Sequence, residues 1–140
     1  MSFVANKIRN TKIKHLQLDP FGFCNAKCWF CPVKYVEQPA EGSGVMHPSM
    51  IEKILVDIRE EMAKPDGVVD PNFKTITLSH YNEILLYKQL DHLLELLRIY
   101  KFNCYILSNG VSLTKPRTDL LKSYSDVVIH VGLNIPAFER

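Results

Sequence analysis

The sequence lacks the features that mark a nucleic-acid-binding or membrane-embedded protein. Its 140 residues carry a formal net charge of only +2, so no charge excess would attract nucleic acid or an anionic membrane. The longest apolar runs are far too short to cross a bilayer. No internal repeat or low-complexity tract interrupts the chain. Its length suits one domain, residues 1–140, with a hydrophobic core of its own.

A secretory signal is also missing from the sequence. The opening residues run from Met1 into Lys7 and Arg9 without an apolar stretch between them. We therefore expect a cytoplasmic location. In that compartment thiols stay reduced, and clustered cysteines are metal or redox sites more often than disulfides.

Three of the four cysteines are crowded together. Cys24, Cys28 and Cys31 form a C-x3-C-x2-C pattern in one short segment, whereas Cys104 stands alone. A cubane 4Fe–4S cluster is usually held by four thiolates. Three thiolates from one loop would hold three irons and leave the fourth iron free to bind a small molecule. The cluster could then reduce that molecule and break it.

Two plainer interpretations of the cysteines stay open. A disulfide with one spare thiol would need an oxidising compartment. A structural zinc ion needs four ligands, and no second C-x2-C or H-x3-5-H pair follows the C-x2-C half of the motif. His47 or Cys104 would have to complete such a site alone. We expect Cys104 to lie in the core, about 13 Å below the end of its strand, because roughly four residues separate the two.

The order of the expected elements indicates an α/β fold. Short apolar segments typical of strands alternate with segments of helical periodicity. Such alternation favours a parallel sheet with right-handed crossovers. The expected strands are 16–18, 74–79, 103–107 and 126–133, and the expected helices are 48–63, 87–100 and 116–124.

The expected strands have one apolar row of side chains and one largely polar row. In the second strand, for example, Thr77 and Ser79 alternate with Ile76 and Leu78. A sheet that is covered by helices on both faces is apolar on both rows. We therefore expect helices on one face and a polar cavity on the other, as in a curved, partly closed barrel. A flat sheet with one solvated face is the alternative, and the third strand fits either orientation.

The cysteine segment resembles the signature of the radical S-adenosylmethionine (radical SAM) superfamily. In that family C-x3-C-x2-C follows the first strand of a (βα)6 partial TIM-like barrel, and an aromatic residue, here Phe30, precedes the last cysteine. The resemblance covers the chain from about His15 to its end. It implies a 4Fe–4S cluster on Cys24, Cys28 and Cys31, with S-adenosyl-L-methionine on the open iron. An electron from an external flavodoxin- or ferredoxin-like donor would cleave this cofactor to methionine and a 5′-deoxyadenosyl radical, which abstracts hydrogen from an unknown substrate.

Further positions match motifs of the same family. Asn82 and Glu83 stand where the family has a Gly-Glu turn that contacts the methionine amino group. Ser108 begins a Ser-Asn-Gly segment similar to the family's Thr-Asn-Gly at the end of strand three. Asn134 resembles a polar residue of strand four that touches the ribose or the carboxylate. The resemblance thus implies a cofactor site of Asn82, Glu83, Ser108 and Asn134, with Phe30 against the adenine.

Plainer interpretations of these residues remain. Glu83 suits a solvated carboxylate at a helix start, and Asn109-Gly110 suits an ordinary turn. We interpret His130 as a core histidine and expect His80 beside the cysteine loop. A small metal-binding or electron-transfer protein without radical chemistry is the alternative function.

The number of strands leads to a last expectation. The family's barrel has six strands, and about four βα units are visible here. The fourth strand should be an edge with a strongly apolar outer row, which invites pairing. Residues 134–140 suit the start of a further helix. We therefore expect a radical SAM core domain that is incomplete at its C-terminus and that self-associates or borrows a completing partner chain.

Overall fold

The centre of the protein is one sheet of four parallel strands. The structure is a computed structural model, and it describes residues 11–38, 40 and 44–134. The strands lie in the sheet order β1-β2-β3-β4, and each neighbouring pair is parallel. The predicted α/β fold is therefore confirmed. The strands are β1 (Leu16–Gln17), β2 (Thr75–Thr77), β3 (Asn103–Ser108) and β4 (Val128–Leu133).

A helix follows each of the first three strands. These are α1 (Pro48–Ala63), α2 (Leu90–Ile99) and α3 (Lys115–Ser123). The bounds of α1 are those predicted, since His47 caps the helix and Pro48 occupies its first turn. In contrast, α2 begins three residues later than predicted, because a short 3-10 turn, Ile84–Leu86, precedes it.

The hydrophobic core lies between the sheet and the helices. It includes Ile76 and Leu78 from the β2 segment and Cys104 and Ile106 from β3. Burying one such aliphatic side chain stabilises the fold by roughly 1.5–3 kcal/mol. The prediction that Cys104 is a core residue is confirmed, because its side chain is fully buried. The helices contribute Ile51 and Leu55 from α1, and Leu90, Leu93, Leu94, Leu96 and Leu97 from α2.

The register of the strands shows which row faces the helices. Ile76 pairs with the buried Cys104, whereas Thr77 pairs with Tyr105 and Tyr105 pairs with His130. The rings of Tyr105 and His130 meet edge to face at 5.6 Å, and both residues are exposed. The polar row therefore forms the face opposite the core. The interpretation of His130 as a core histidine is wrong, because its row turns away from the helices.

Strand β4 is an edge of the sheet and exposes apolar side chains, as predicted. The pairing of β3 with β4 shifts between Cys104 and Tyr105. This bulge breaks the regular alternation that the sequence predicts. Ile129, Val131 and Leu133 are 47%, 37% and 50% exposed. Of the further helix expected over 134–140, residues 135–140 lie outside the described residues. Among the helices of the described ranges, none is long and apolar enough to span a membrane.

Candidate cluster and cofactor site

The carboxyl ends of the strands surround one pocket of about 130 Å³. The cysteine loop after β1 forms one wall, and the segments that follow β2, β3 and β4 form the others. This is the edge where α/β barrels place functional residues. The structure brings together every residue that the sequence or the resemblance assigned to the site, namely Cys24, Cys28, Phe30, Cys31, Asn82, Glu83, Ser108 and Asn134.

The three cysteines of the motif are free and partly exposed at this pocket. The backbone N–H of Cys31 donates to the carbonyl of Cys28 at 3.0 Å, which folds the C-x2-C half into a tight turn. The N–H of Cys24 donates to Oε1 of Gln38 at 2.9 Å. In the described part of the chain, no three His, Cys, Asp or Glu side chains are grouped around a single-ion site. Each thiolate of a cubane binds a different iron, and the three thiols here share the wall of one pocket.

The surroundings of Cys24 favour its protonated form while no metal is bound. Burial raises the pKa of the Cys24 thiol above its ordinary value, and the negative charge of Glu83 raises it further. Hydrogen bonds from the Ala26 backbone and from the Asn109 side chain act in the opposite direction. Because the thiolate is the form that binds metal, a metal ion that bound at Cys24 would release a proton.

Glu83 is a buried carboxylate that joins three segments. It is 1% exposed, so the interpretation as a solvated carboxylate is wrong. Its oxygens accept hydrogen bonds from Ser108 Oγ at 2.9 Å and from the Asn109 N–H at 2.7 Å. Its own N–H donates to the Phe23 carbonyl at 3.0 Å, and its side chain caps the 3-10 turn through Leu85 N. Glu83 therefore fixes the end of β3 and the cysteine loop relative to the segment after β2.

Asn82 carries an unpaired polar atom beside the pocket. The residue is only 9% exposed, and its Nδ2 donates to the Phe21 carbonyl at 3.2 Å. Within the described ranges its buried Oδ1 has no hydrogen-bond partner. A buried acceptor left unpaired costs about 1–3 kcal/mol. Asn82 also lines the pocket, so a ligand amino group that reached this oxygen would pair it, and the three thiols on the same wall fit a cluster.

Phe30 and Asn134 lie on more open parts of the pocket wall. Phe30 is 57% exposed and meets Trp29 edge to face, with ring centroids 5.6 Å apart. The backbone N–H of Asn134 donates to the Ser108 carbonyl at 2.8 Å, so the end of β4 is held against the end of β3. The Phe30 ring can stack on a base, and the Asn134 amide can reach a polar group of a ligand.

His80 and Tyr81 complete the wall between Asp19 and the cysteine loop. Both line the pocket, and their ring centroids are 3.8 Å apart. His80 Nδ1 lies 3.9 Å from Asp19 Oδ2. Burial raises the pKa of the Asp19 carboxyl, while its interaction with His80 lowers it. The expectation that His80 lies beside the cysteine loop is confirmed.

Asn109 contacts the cysteine loop, which the sequence analysis did not predict. Its Oδ1 accepts from the Val111 N–H at 2.9 Å, as in an ordinary turn. Its Nδ2 also donates to Asn25 Oδ1 at 2.9 Å and lies 3.8 Å from Cys24 Sγ. The Ser-Asn-Gly segment was the only signal for this residue, and it does not say where the amide points.

The comparisons with known proteins agree with this geometry. The model of the radical SAM superfamily matches residues 18–139. The chain belongs to the radical SAM superfamily. The predicted family membership is therefore confirmed. No curated protein matches the chain.

Two solved structures of BtrN share the fold of this chain. The structure described as BtrN in complex with AdoMet and 2-DOIA is similar with a TM-score of 0.69 and 24% identity, over 93% of this chain and 49% of that one. The structure of BtrN in an open conformation is similar with a TM-score of 0.61 and 21% identity, over 88% of this chain and 57% of that one. The structure of archaeal TYW1 has a TM-score of 0.44 and 20% identity, over 87% of this chain and 43% of that one. The chain spans about half the length of these structures, and the likeness to BtrN supports the fold.

Proposed function

We propose that this chain binds a 4Fe–4S cluster through Cys24, Cys28 and Cys31 and binds S-adenosyl-L-methionine beside it, as a radical SAM enzyme. The observation that carries the proposal is one pocket lined by the three free cysteines and by Asn82, whose buried Oδ1 has no hydrogen-bond partner among the described residues. When bound, the cluster would supply the electron for reductive cleavage of S-adenosylmethionine, and the 5′-deoxyadenosyl radical formed with methionine would abstract hydrogen from the substrate.

Asn82 is proposed to orient the methionine end of the cofactor. Its Oδ1 can accept a hydrogen bond from the amino group and thereby lose its unpaired state. The family has glycine at this position, so a side-chain amide would here make the contact to the amino group. The structure of BtrN, whose fold this chain shares, is described as a complex with AdoMet.

The other cofactor contacts are proposed from the same wall. The Phe30 ring would cover the adenine, and the Asn134 amide would bind the ribose or the carboxylate. Ser108 Oγ donates to Glu83 and accepts from the Gly110 N–H at 3.0 Å, so it keeps one lone pair for a ligand donor. Glu83 would act by accepting hydrogen bonds from the Ser108 hydroxyl and the Asn109 backbone N–H, which holds both residues in place.

The partners of the reaction are proposed on chemical grounds. A cluster of this kind needs a one-electron donor, for which a flavodoxin- or ferredoxin-like protein is suited. Free thiols and an exposed iron need a reducing compartment, so we propose the cytoplasm. The apolar side chains on β4 are exposed. We propose that a second copy of the chain or a completing partner chain buries them.

The direct test of the cofactor pocket is an Asn82→Ala variant, reconstituted with iron and sulfide without oxygen. Loss of a hydrogen bond to a charged group costs about 1.5–3 kcal/mol, which corresponds to roughly tenfold to hundredfold weaker binding. We expect that loss for S-adenosylmethionine in equilibrium dialysis, with iron content unchanged. Asn72→Ala, far from this pocket, serves as the control and should bind as wild type does. No binding by the wild-type protein, or full binding by Asn82→Ala, would contradict the proposal.

A further inference from the structure

The orientation of the Asn109 side-chain amide is determined by its neighbours. Its Oδ1 accepts from the Val111 backbone N–H at 2.9 Å. A backbone N–H can only donate, so this contact identifies which end of the amide is oxygen. The NH2 group then faces the cysteine loop, where it donates to Asn25 Oδ1 at 2.9 Å and to Cys24 Sγ at 3.8 Å. An amide NH2 carries two hydrogens, so it can serve both acceptors.

The Asn109 amide is held in place on both sides. Its own backbone N–H is bound by the buried Glu83 carboxylate at 2.7 Å. Asn25, which accepts one of the two amide hydrogens, in turn donates to Ser112 Oγ at 3.2 Å. Gly110 has φ of +81°, a conformation that glycine adopts readily, so the turn that carries Asn109 is unstrained. The N–H that points at Cys24 is therefore a preorganised donor.

We propose that Asn109 is a positioning residue that raises the reduction potential of the cluster by donating a hydrogen bond to the Cys24 thiolate. The inference rests on the proposed function, because it needs Cys24 as an iron ligand. One-electron reduction takes the cubane from the 2+ to the 1+ state, and the electron comes from an external one-electron donor. The added negative charge is shared by the sulfurs. Hydrogen bonds to a more negative acceptor are stronger, so the donor stabilises the reduced state more than the oxidised one.

The test is a potentiometric titration of reconstituted protein with dithionite and redox mediators, followed by electron paramagnetic resonance. Asn109→Leu keeps the approximate shape and removes the donor, and we expect its midpoint potential to shift below that of the wild type. Asn109→Asp keeps an oxygen for the Val111 N–H but has no N–H to donate, and we expect a shift in the same direction.

Asn25→Leu is the matched control, because it removes the bond between Asn25 and Asn109 but leaves the contact to Cys24. Its potential should lie closer to that of the wild type than to that of Asn109→Leu, because Glu83 and the Val111 N–H still hold Asn109 in place. A wild-type potential in either Asn109 variant, or an equal shift in Asn25→Leu, would overturn the inference. Loss of the cluster from both Asn109 variants would also overturn it, in favour of a role in cluster assembly. If the wild-type protein assembles no cluster, the proposed function itself fails, so the two failures are distinguishable.

Discussion

The cysteines of this chain lie in two regions that differ in what decides thiol chemistry. Cys24, Cys28 and Cys31 are partly exposed on the wall of a pocket at the carboxyl end of the sheet. Cys104 lies in the layer between the sheet and the helices, where burial raises its pKa to about 12. The thiolate is the form that binds metal. The comparison teaches that place in the fold separates thiols of the same type: those on the loop after β1 are accessible to a metal, and the one in the core of β3 is not.

The same contrast holds for the two regions as a whole. The core beneath the sheet is filled with leucine and isoleucine from α1, α2 and the strands. The rim above it holds a buried carboxylate, several amides and an acceptor that has no partner within the described part of the chain. The core supplies the free energy of folding, and the rim arranges polar groups around space for a ligand. Substitutions in the two regions should therefore change different measured quantities.

The largest expected effect is at the cysteines. Replacing any one of Cys24, Cys28 or Cys31 with Ala should abolish the cluster, because three thiolates are already one fewer than a cubane usually has. Cys104→Ala should leave the iron content unchanged. Iron and sulfide analysis after reconstitution without oxygen measures both. If a variant with all three of these cysteines replaced still held four irons, they would not be the cluster ligands.

A core substitution should act on stability instead. Leu94 is fully buried in α2, and Leu94→Ala should lower the free energy of unfolding by about 2–5 kcal/mol through lost burial and a residual cavity. Leu133→Ala at the exposed edge is the matched control and should change it by less than about 0.5 kcal/mol. Urea unfolding of the metal-free protein measures the difference. Equal effects at the two leucines would show that the core is placed wrongly.

Changes at the polar rim should weaken the cofactor without removing the cluster. Ser108→Ala and Asn134→Ala are each expected to lower the affinity for S-adenosylmethionine roughly tenfold to hundredfold, equivalent to about 1.5–3 kcal/mol per hydrogen bond to a charged group. Glu83→Ala is expected to lower that affinity as well, because it releases the Ser108 hydroxyl and the Asn109 backbone N–H. Iron analysis and equilibrium dialysis separate the two effects. Wild-type affinity in all three variants would show that the pocket is not the cofactor site.

The smallest expected effect is at the exposed edge. Val131 and Leu133 present apolar surface on β4, and such edges pair with other chains. We expect self-association of the 140-residue protein in sedimentation velocity and less of it for Val131→Lys, since a charge opposes close packing at the edge. A sharp monomer for the wild type would contradict this expectation.

The sequence predicted the helices and strands better than it predicted which way the strand side chains face. Periodicity and a proline after His47 were enough for α1, because both signals are local. The orientation of β3 was ambiguous, because Cys104 and Tyr105 are both acceptable on either face, and only pairing with β2 decides between them. His130 was misassigned because a polar aromatic residue in a strand does not reveal whether a helix covers its row.

The residues of the site could be predicted from the sequence, but the hydrogen bonds between them could not. The cysteine spacing and the strand ends bring Cys24, Asn82 and Ser108 to one rim, and the structure places them on one pocket. The burial of Glu83 and the direction of the Asn109 amide depend on contacts between segments far apart in the chain. Such contacts leave no local pattern, so sequence reasoning could not assign them.

The most direct test of the central claim is the response of the cluster to its cofactor. The protein is reconstituted without oxygen, reduced with dithionite, and examined by electron paramagnetic resonance before and after S-adenosylmethionine is added. An open iron that three cysteines leave unligated should bind the cofactor and change the signal. An unchanged signal, or no cluster signal at all, would contradict the account.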